Sequence, residues 1–173
     1  NTRYFIFPLQ GGQTVPLLNP FAMGNAWFVD EVQYISNANE EIEAIHELDP
    51  AHQAVVDKKF QEAIQPMASD STATIQLVAY EPNYLKYEVN SEKGGTVVFS
   101  EIYYPGWQST IDGQPVPHGR ANYILRAMNV PAGKHTVEFT FDPASLHTTE
   151  TIASVALGLS VLLAVVAGYF TWK

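Results

Sequence analysis

Hydrophobic and polar positions alternate with a period of two over most of the second half of the chain. Apolar residues recur at every second position in residues 75–79, 85–89 and 137–141, with mostly polar residues between them. Because successive side chains of a strand point to opposite faces, each segment predicts a half-buried antiparallel strand. Residues 97–104 are more continuously apolar and predict a central strand.

Turn-forming residues separate these apolar segments. They are Lys93-Gly94-Gly95, Tyr104-Pro105-Gly106, Asp112-Gly113 and Pro131-Ala132-Gly133. Glycine, proline and Asp-Gly pairs supply the backbone conformations that tight turns need. About six short strands with turns at this spacing predict a mainly β fold, an antiparallel β-sandwich of the immunoglobulin-like or jelly-roll-like kind, over residues 69–148.

Residues 1–68 follow no single period and predict a small α+β unit that precedes the sandwich. Residues 3–8 and 26–32 predict strands, and the loop between them is rich in Gly, Pro and Asn. Residues 54–60 predict a further strand. The polar stretch 65–74 then predicts the boundary between the two units.

A short helix is predicted inside this first unit. Asn37 precedes Glu40 by three positions, as in a capping box, and apolar residues then recur at helical spacing up to Leu48. Asp49-Pro50 ends the helix, which should be about eleven residues long. The helix carries acidic residues that we interpret as a solvated face rather than a calcium site, namely Glu40, Glu41, Glu43, Glu47 and Asp49.

The end of the chain predicts a transmembrane helix, within a final segment 149–173. Residues 152–172 carry no formal charge and are rich in Leu, Val and Ala. At about 1.5 Å per residue they span about 30 Å, the thickness of a bilayer's hydrocarbon core. The lipid bilayer is therefore the expected partner of residues 152–172. An aromatic cluster followed by Lys173 is typical of the cytoplasmic interface, so residues 1–150 are expected on the other side.

Composition narrows the function classes. Nine basic against 18 acidic residues give a net charge of −9, which argues against nucleic acid as a partner. The chain has no cysteine, which excludes disulfides, thiolate metal sites and a Cys nucleophile. We predict no cofactor and no metal, because the five histidines are scattered and phosphate-loop motifs are lacking. The chain begins at Asn1 without a signal-peptide pattern, so we expect it to be a piece of a longer protein.

The most polar and aromatic stretch of the chain is the candidate binding site. Sugar recognition uses an aromatic face under the ring and planar hydrogen-bonding groups around it. The candidate ligand-binding residues are Glu101, Tyr104, Trp107, Arg120, Asn122 and Tyr123. A structural interpretation stays open, in which Trp107 plugs the end of the sandwich and Glu101 pairs with Arg120 or Arg126 across strands. No pair of acids stands out as a hydrolase pair, and no catalytic residue is predicted.

Several segments together resemble one family. They are residues 19–29, 80–83, 99–107, 111–113, 120–123 and 130–139. Their order, with a transmembrane helix at the end, resembles the C-terminal extracytoplasmic region of YfhO-family bacterial membrane proteins. Members are multi-pass proteins similar to C-type glycosyltransferases, which use polyprenyl-phosphate sugars, and the catalytic acids of that superfamily lie in its membrane-embedded N-terminal part.

The resemblance implies a role for the chain. It would be a non-catalytic extracytoplasmic accessory domain in the bacterial cytoplasmic membrane, belonging to a parent protein that is a membrane glycosyltransferase. Its partners would be the remaining transmembrane helices of the parent and a cell-envelope glycan or acceptor. The alternative from another class is a purely structural or protein-interaction module that binds no sugar. An exposed aromatic platform at Tyr104 or Trp107 would favour glycan binding, whereas burial of both would favour the structural module.

Overall fold

A computed structural model describes residues 1–9 and 11–172, and it contains a separate hairpin, two larger sheets and two α-helices. The hairpin pairs β1 (Tyr4–Pro8) with β2 (Thr14–Leu18). The six-stranded sheet has, in spatial order, β3 (Ala26–Val29), β8 (Gly95–Ile102), β12 (Leu125–Val130), β11 (Gly119–Ala121), β5 (Gln53–Asp57) and β4 (Glu31–Ile35). The five-stranded sheet has β10 (Gln114–Pro115), β9 (Trp107–Ile111), β13 (Gly133–Phe141), β7 (Tyr84–Ser91) and β6 (Thr74–Glu81).

The two larger sheets pack face to face around one core. Tyr87 of β7, Phe99 of β8 and Phe139 of β13 meet edge to face, with Phe99 4.9 Å from each of the other two ring centroids. Val97 and Met128 from the six-stranded sheet and Val89, Val137 and Ile111 from the five-stranded sheet are buried with them. The mainly β fold, with antiparallel sheets, an early helix and a C-terminal apolar helix, is confirmed. The period-two pattern succeeds because every second residue of β7 and β13 enters this core.

The six-stranded sheet is covered on its second face as well. Residues 58–66 cross that face and bury Ile64 among residues that include Trp27 and Val98. The Tyr34 hydroxyl donates to the Ile64 carbonyl at 2.7 Å, and Trp27 Nε1 donates to the Pro50 carbonyl at 2.8 Å. Burial on both faces explains why β5 and β8 are apolar without alternation.

The first part of the chain contributes strands to the same sheet as the later part. The strand predicted over residues 26–32 divides at Asp30 into β3 and β4, and the strand predicted over residues 54–60 ends at Asp57. Asp57 Oδ1 accepts from the Lys59 amide and starts a short 3-10 turn there. Because β3 pairs with β8 and β5 pairs with β11, strands from both sides of residue 68 hydrogen-bond to each other. The division into units 1–68, 69–148 and 149–173 stays a prediction about folding units.

Helix α1 (Ala38–His46) begins where its cap was predicted. The Asn37 side chain accepts from the amides of Asn39 and Glu40, and Glu40 reaches back to the Ser36 amide at 3.0 Å. The helix has nine residues rather than about eleven. It connects the parallel strands β4 and β5, the parallel pair of this otherwise antiparallel sheet.

Helix α2 (Ala144–Trp172) continues directly from β13. Its 29 residues have a mean hydropathy of 2.3 in their most apolar window and none is buried within the chain. Length and apolar composition make it able to cross a membrane, as predicted for residues 152–172. Lys173, on which the sequence-based orientation depends, lies outside the described residues.

Candidate functional site

The six predicted binding residues do not form one site. Tyr104 and Trp107 lie at a turn between the two sheets, whereas Arg120, Asn122 and Tyr123 lie at the hairpin between β11 and β12. Glu101 lies near the end of β8 and belongs to neither group. Their separation follows from strand pairing, which fixes where each strand ends.

Tyr104 and Trp107 line an open groove of about 450 Å³, which we call the Trp107 groove. Its walls are residues 103–109 and 115–118. Tyr104 is 61% exposed and Trp107 is half-buried. The turn depends on Gly106, whose φ of +106° favours glycine and whose Cβ position lies 3.0 Å from Phe141 and Pro143. The backbone of the groove is thereby held against the last strand before α2.

Buried Arg126 supports Trp107. The Arg126 guanidinium lies 4.0 Å from the centroid of the Trp107 ring and 5.1 Å from that of Phe139, within the range of cation–π attraction. Its Nε donates to the Ile102 carbonyl at 3.0 Å, and the residue is only 2% exposed. The Trp107 ring also packs against Phe141, with centroids 5.3 Å apart. These contacts fix the orientation of the indole before any ligand is present.

A histidine, His118, also lines the groove. His118 packs edge to face against Tyr103 and Phe139, and its Nδ1 lies 2.8 Å from Ser109 Oγ. The Ser109 hydroxyl donates its hydrogen to the Val116 carbonyl. The Nδ1–H of His118 therefore donates to Ser109 Oγ, and the His118 Nε2 atom is left as an acceptor. Burial, reinforced by the charge of Arg126, lowers the pKa of His118 to about 4, so the ring is neutral at physiological pH. His118 is half-buried and packed between aromatic rings, so it is not an ordinary surface histidine.

Glu101 is half-buried beside the core. Burial raises the pKa of its carboxyl group, and the positive charge of Arg126 opposes that shift. Two buried polar atoms of the neighbouring core, the Tyr87 hydroxyl and Arg126 Nη1, have no hydrogen-bond partner among the described residues. Glu101 is not among the residues that line the Trp107 groove.

Arg120, Asn122 and Tyr123 form a second group with Glu41, which we call the Glu41 cluster. Arg120 Nη2 donates to Glu41 Oε2 at 2.7 Å, and the Tyr123 amide donates to Glu41 Oε1 at 2.8 Å. Arg120 Nη1 also donates to the Tyr123 carbonyl at 2.8 Å. Glu41 is fully buried. Of the two partners considered for Glu101, Arg120 is excluded because it pairs with Glu41 of α1, whereas the charge of Arg126 does act on Glu101.

Asn122 holds two strands together. Its Oδ1 accepts from the Val55 amide and its own amide donates to the Val55 carbonyl, both at 2.8 Å. Asn122 and Tyr123 have φ angles of +49° and +70°, the left-handed region in which asparagine is well tolerated. The Asn122 side chain thus acts as an extension of β11 toward β5.

Sequence reasoning missed the burial of Glu41. The acidic residues of α1 were interpreted together as a solvated face, which is wrong for this one. The sequence did carry a signal, because Glu41 shares one helical face with Ala44, Ile45 and Leu48 at intervals of three, four and seven residues. That face is the least exposed one of the helix, while Ile42 is 43% exposed.

Comparison with known proteins gives one match. A family model described as bacterial membrane protein YfhO matches residues 49–153, which extend from the end of α1 to the first turns of α2. No curated protein and no solved structure matches the chain. The matched segment contains the Trp107 groove and most of the Glu41 cluster.

Proposed function

The chain belongs to the YfhO family of bacterial membrane proteins, and we propose that it is a non-catalytic accessory domain that holds a cell-envelope glycan or acceptor close to the membrane. Helix α2 anchors the domain in the bilayer, and the Trp107 groove supplies the binding surface. The two sheets act as a rigid support for that groove.

The observation that carries this proposal is the exposure of Tyr104 beside Trp107 in an open groove. An aromatic face binds the apolar face of a sugar ring, while nearby polar groups fix the hydroxyls. Trp107 is preorganised by Arg126, and neutral His118, which also lines the groove, offers a hydrogen-bond acceptor. Preorganised side chains lower the entropic cost of binding.

Proximity to the membrane supports a ligand that is itself attached to lipid or polymer. Trp107 pairs with Phe141, and α2 begins at Ala144, so only two residues separate the groove's partner strand from the helix. We place residues 1–150 on the extracytoplasmic side, where polyprenyl-linked sugars are used in C-type glycosyltransferases. In this proposal the catalytic acids belong to a membrane-embedded part of the parent protein, and this domain presents the acceptor to it.

A purely structural or protein-interaction module is the second candidate. The Glu41 cluster favours this structural module, because the side chains of Arg120 and Asn122 form hydrogen bonds to other groups of the same chain. These residues would then stabilise the fold of the domain rather than bind a ligand. The two candidates differ in whether Tyr104 and Trp107 bind anything.

A binding experiment on the whole chain in lipid nanodiscs separates these candidates. A panel of bacterial cell-envelope glycans would be titrated against the wild type, Tyr104→Ala and Tyr80→Ala. Tyr80 is a matched control because it is 65% exposed, close to the value for Tyr104, and does not line the groove. Loss of one stacking contact should weaken binding about tenfold in Tyr104→Ala and leave Tyr80→Ala unchanged.

Two outcomes would contradict glycan binding at this groove. The first is a panel without any saturable response in the wild type. The second is equal binding by the wild type and Tyr104→Ala. Either outcome would favour the structural module.

A further inference from the structure

The β1–β2 hairpin is apolar on both faces. Phe5 is opposite Leu17 and Phe7 is opposite Val15, and the residues between them form the other face, with Ile6 opposite Pro16. Every residue of both strands is exposed. A hairpin that covered a protein core would present one polar face to water, whereas this ribbon presents none.

The absence of charge extends well beyond the hairpin. Residues 4–29 contain no Asp, Glu, Lys or Arg, and Arg3 and Asp30 flank them. Phe21, in the connection from β2 to β3, is 85% exposed as well. Monomeric soluble domains rarely expose so continuous an apolar surface unless something covers it.

The hairpin and α2 leave the sandwich at the same end. The residue that follows the hairpin connection, Asn25, accepts at its carbonyl from the Ser100 amide at 2.8 Å, close to the end of β8. The turn after β8 contains Gly106, whose carbonyl accepts from the Asp142 amide at 2.9 Å, directly before α2. The membrane-spanning helix and the apolar ribbon therefore start from neighbouring strand ends.

The two ends of the sandwich differ in the large apolar side chains that they expose. The end from which α2 departs exposes large apolar side chains, namely Tyr80, Ile102, Tyr104 and Ile124. Among the described residues, the turns at the opposite end expose no large apolar side chain and carry charged groups, namely Asp70, Glu92, Lys93, Asp112 and Lys134, whereas the α2 end carries Glu81 and Asp142 beside its apolar side chains. Such a gradient is the one expected of a domain with one end against a membrane surface.

The lengths of the β1–β2 hairpin and of the polar start of α2 allow the hairpin to reach the lipid. Residues 144–151 of α2 are mostly polar and extend about 12 Å before the uncharged segment begins. Five-residue strands extend about 17 Å, so the hairpin is long enough to cross that distance back to the lipid. An open two-stranded ribbon has unpaired edge amides and carbonyls, which restricts it to the hydrated interface and excludes it from the hydrocarbon core.

We infer that the β1–β2 hairpin inserts into the lipid interface, between the headgroups and the upper acyl chains, beside α2. Lipid covers both faces of a thin ribbon at once, which a flat protein surface does not. Phe5, Phe7, Tyr4 and Phe21 supply the aromatic side chains that favour this layer. The lack of charge in residues 4–29 keeps the acidic chain from repelling anionic headgroups at this place. The domain then contacts the bilayer at two places, and its orientation over the membrane is fixed.

Fluorescence quenching in nanodiscs tests this inference on the whole chain. The chain has no cysteine, so Ile6→Cys and Leu17→Cys each accept a single environment-sensitive label, one on each face of the hairpin. Lys93→Cys at the opposite end is the control. The nanodiscs contain phosphatidylcholine and phosphatidylglycerol, with a doxyl quencher placed either near the headgroup or near the end of the acyl chain.

Insertion predicts that the labels at positions 6 and 17 both shift to shorter emission wavelength. Both should be quenched more strongly by the shallow doxyl lipid than by the deep one, while the label at position 93 shows neither effect. Circular dichroism of each labelled variant checks that the fold is retained.

Three results would overturn the inference. Labels at positions 6 and 17 that behave like the label at position 93 would mean that water covers the hairpin. A shift to shorter wavelength without doxyl quenching would mean that protein covers it, either a second copy or another chain. Quenching of only one of the two labels would mean that one face of the hairpin contacts lipid and the other face packs against protein. No glycan is present in this experiment, so its failure would leave the proposed binding function untouched.

Discussion

Two groups of polar and aromatic side chains lie near the end of the sandwich from which α2 departs, and their hydrogen bonds go to different places. In the Glu41 cluster Nη1 and Nη2 of Arg120 and Oδ1 of Asn122 form hydrogen bonds to other groups of the chain. In the Trp107 groove the aromatic side chains are fixed from behind, while Tyr104 stays exposed. The same residue types therefore stabilise the fold in one place and remain available to a ligand in the other.

The difference originates in what faces each group. A helix, α1, lies over the Arg120 hairpin and provides a buried carboxylate, so the polar groups there find partners within the chain. The groove is lined by turn residues and by the first residues of β9 together with Pro115 of β10, and it is open to solvent. Accordingly, changes in the Glu41 cluster should alter stability, and changes at the groove surface should alter binding.

The largest effect is expected from Glu41→Ala. It leaves the partly buried Arg120 without its carboxylate and the Tyr123 amide without its acceptor. Breaking a buried ion pair at one partner costs about 3 kcal/mol or more of unfolding free energy. Denaturant unfolding in detergent, followed by tryptophan fluorescence, measures the loss.

Glu41→Gln is the matched control for that variant. It keeps the size and one acceptor oxygen and should lose clearly less stability. Equal stability of Glu41→Ala and the wild type would show that the cluster is not a structural support.

Arg126→Ala should have the next largest effect, because Arg126 is buried in the core and supports Trp107 of the groove. The change removes the group that packs between Trp107 and Phe139 and leaves a cavity in the core, at a cost of about 3 kcal/mol. Arg126→Met fills much of the same space without burying a charge and should cost less. A shift of tryptophan emission in both variants would report the release of Trp107, and an unchanged spectrum would contradict its support by Arg126.

The groove should also impose a pH dependence on stability through His118. The folded chain lowers the pKa of His118 to about 4, while the unfolded chain has the ordinary value near 6.5. The unfolded state therefore binds the proton first, so this contribution is complete above about pH 6.5 and is lost as the pH falls toward about 4. The expected loss is about 3 kcal/mol.

His118→Asn keeps a donor for Ser109 and should flatten that part of the stability profile. His135 is a control of opposite sign, because its hydrogen bond to Asp112 raises its pKa. Its contribution is present at low pH and is lost as the pH rises through the raised pKa, so His135→Asn should not flatten the acid side. An acid slope that survives in His118→Asn would show that another group causes it.

The smallest effect on stability is expected at the groove surface. Tyr104→Ala removes a ring that is mostly in water, and its unfolding free energy should change by less than about 0.5 kcal/mol. The same denaturant experiment measures it beside Glu41→Ala. A loss comparable to that of Glu41→Ala would remove the distinction between the two regions.

The sequence predicts much of the secondary structure because each predicted strand, cap and turn depends on residues that are close together in the chain. Alternation in β7 and β13, the cap at Asn37 and the Asp112-Gly113 turn are each set within a few residues, and Asp112 and Gly113 do adopt positive φ angles. The C-terminal apolar helix is predicted in the same direct way, since its length and composition alone make it able to cross a membrane.

The contacts that the sequence did not predict are those between residues far apart in the chain. The Glu41–Arg120 contact joins residues far apart in the chain, and the stacking of Arg126 on Trp107 depends on how β12 and β9 meet across two sheets. The pairing of β3 with β8 likewise crosses the predicted boundary near residue 68. Composition indicated that aromatic and polar groups were available for binding, but only the packing separates those used internally from those left exposed.

Hydrogen–deuterium exchange of the nanodisc-bound chain, with and without a saturating cell-envelope glycan, tests most directly whether the Trp107 groove is the binding surface. Our account predicts slower exchange on binding in residues 103–109 and 115–118, with residues 120–123 unchanged. Protection of residues 120–123 with no change along the groove, or no change anywhere at saturation, would contradict it.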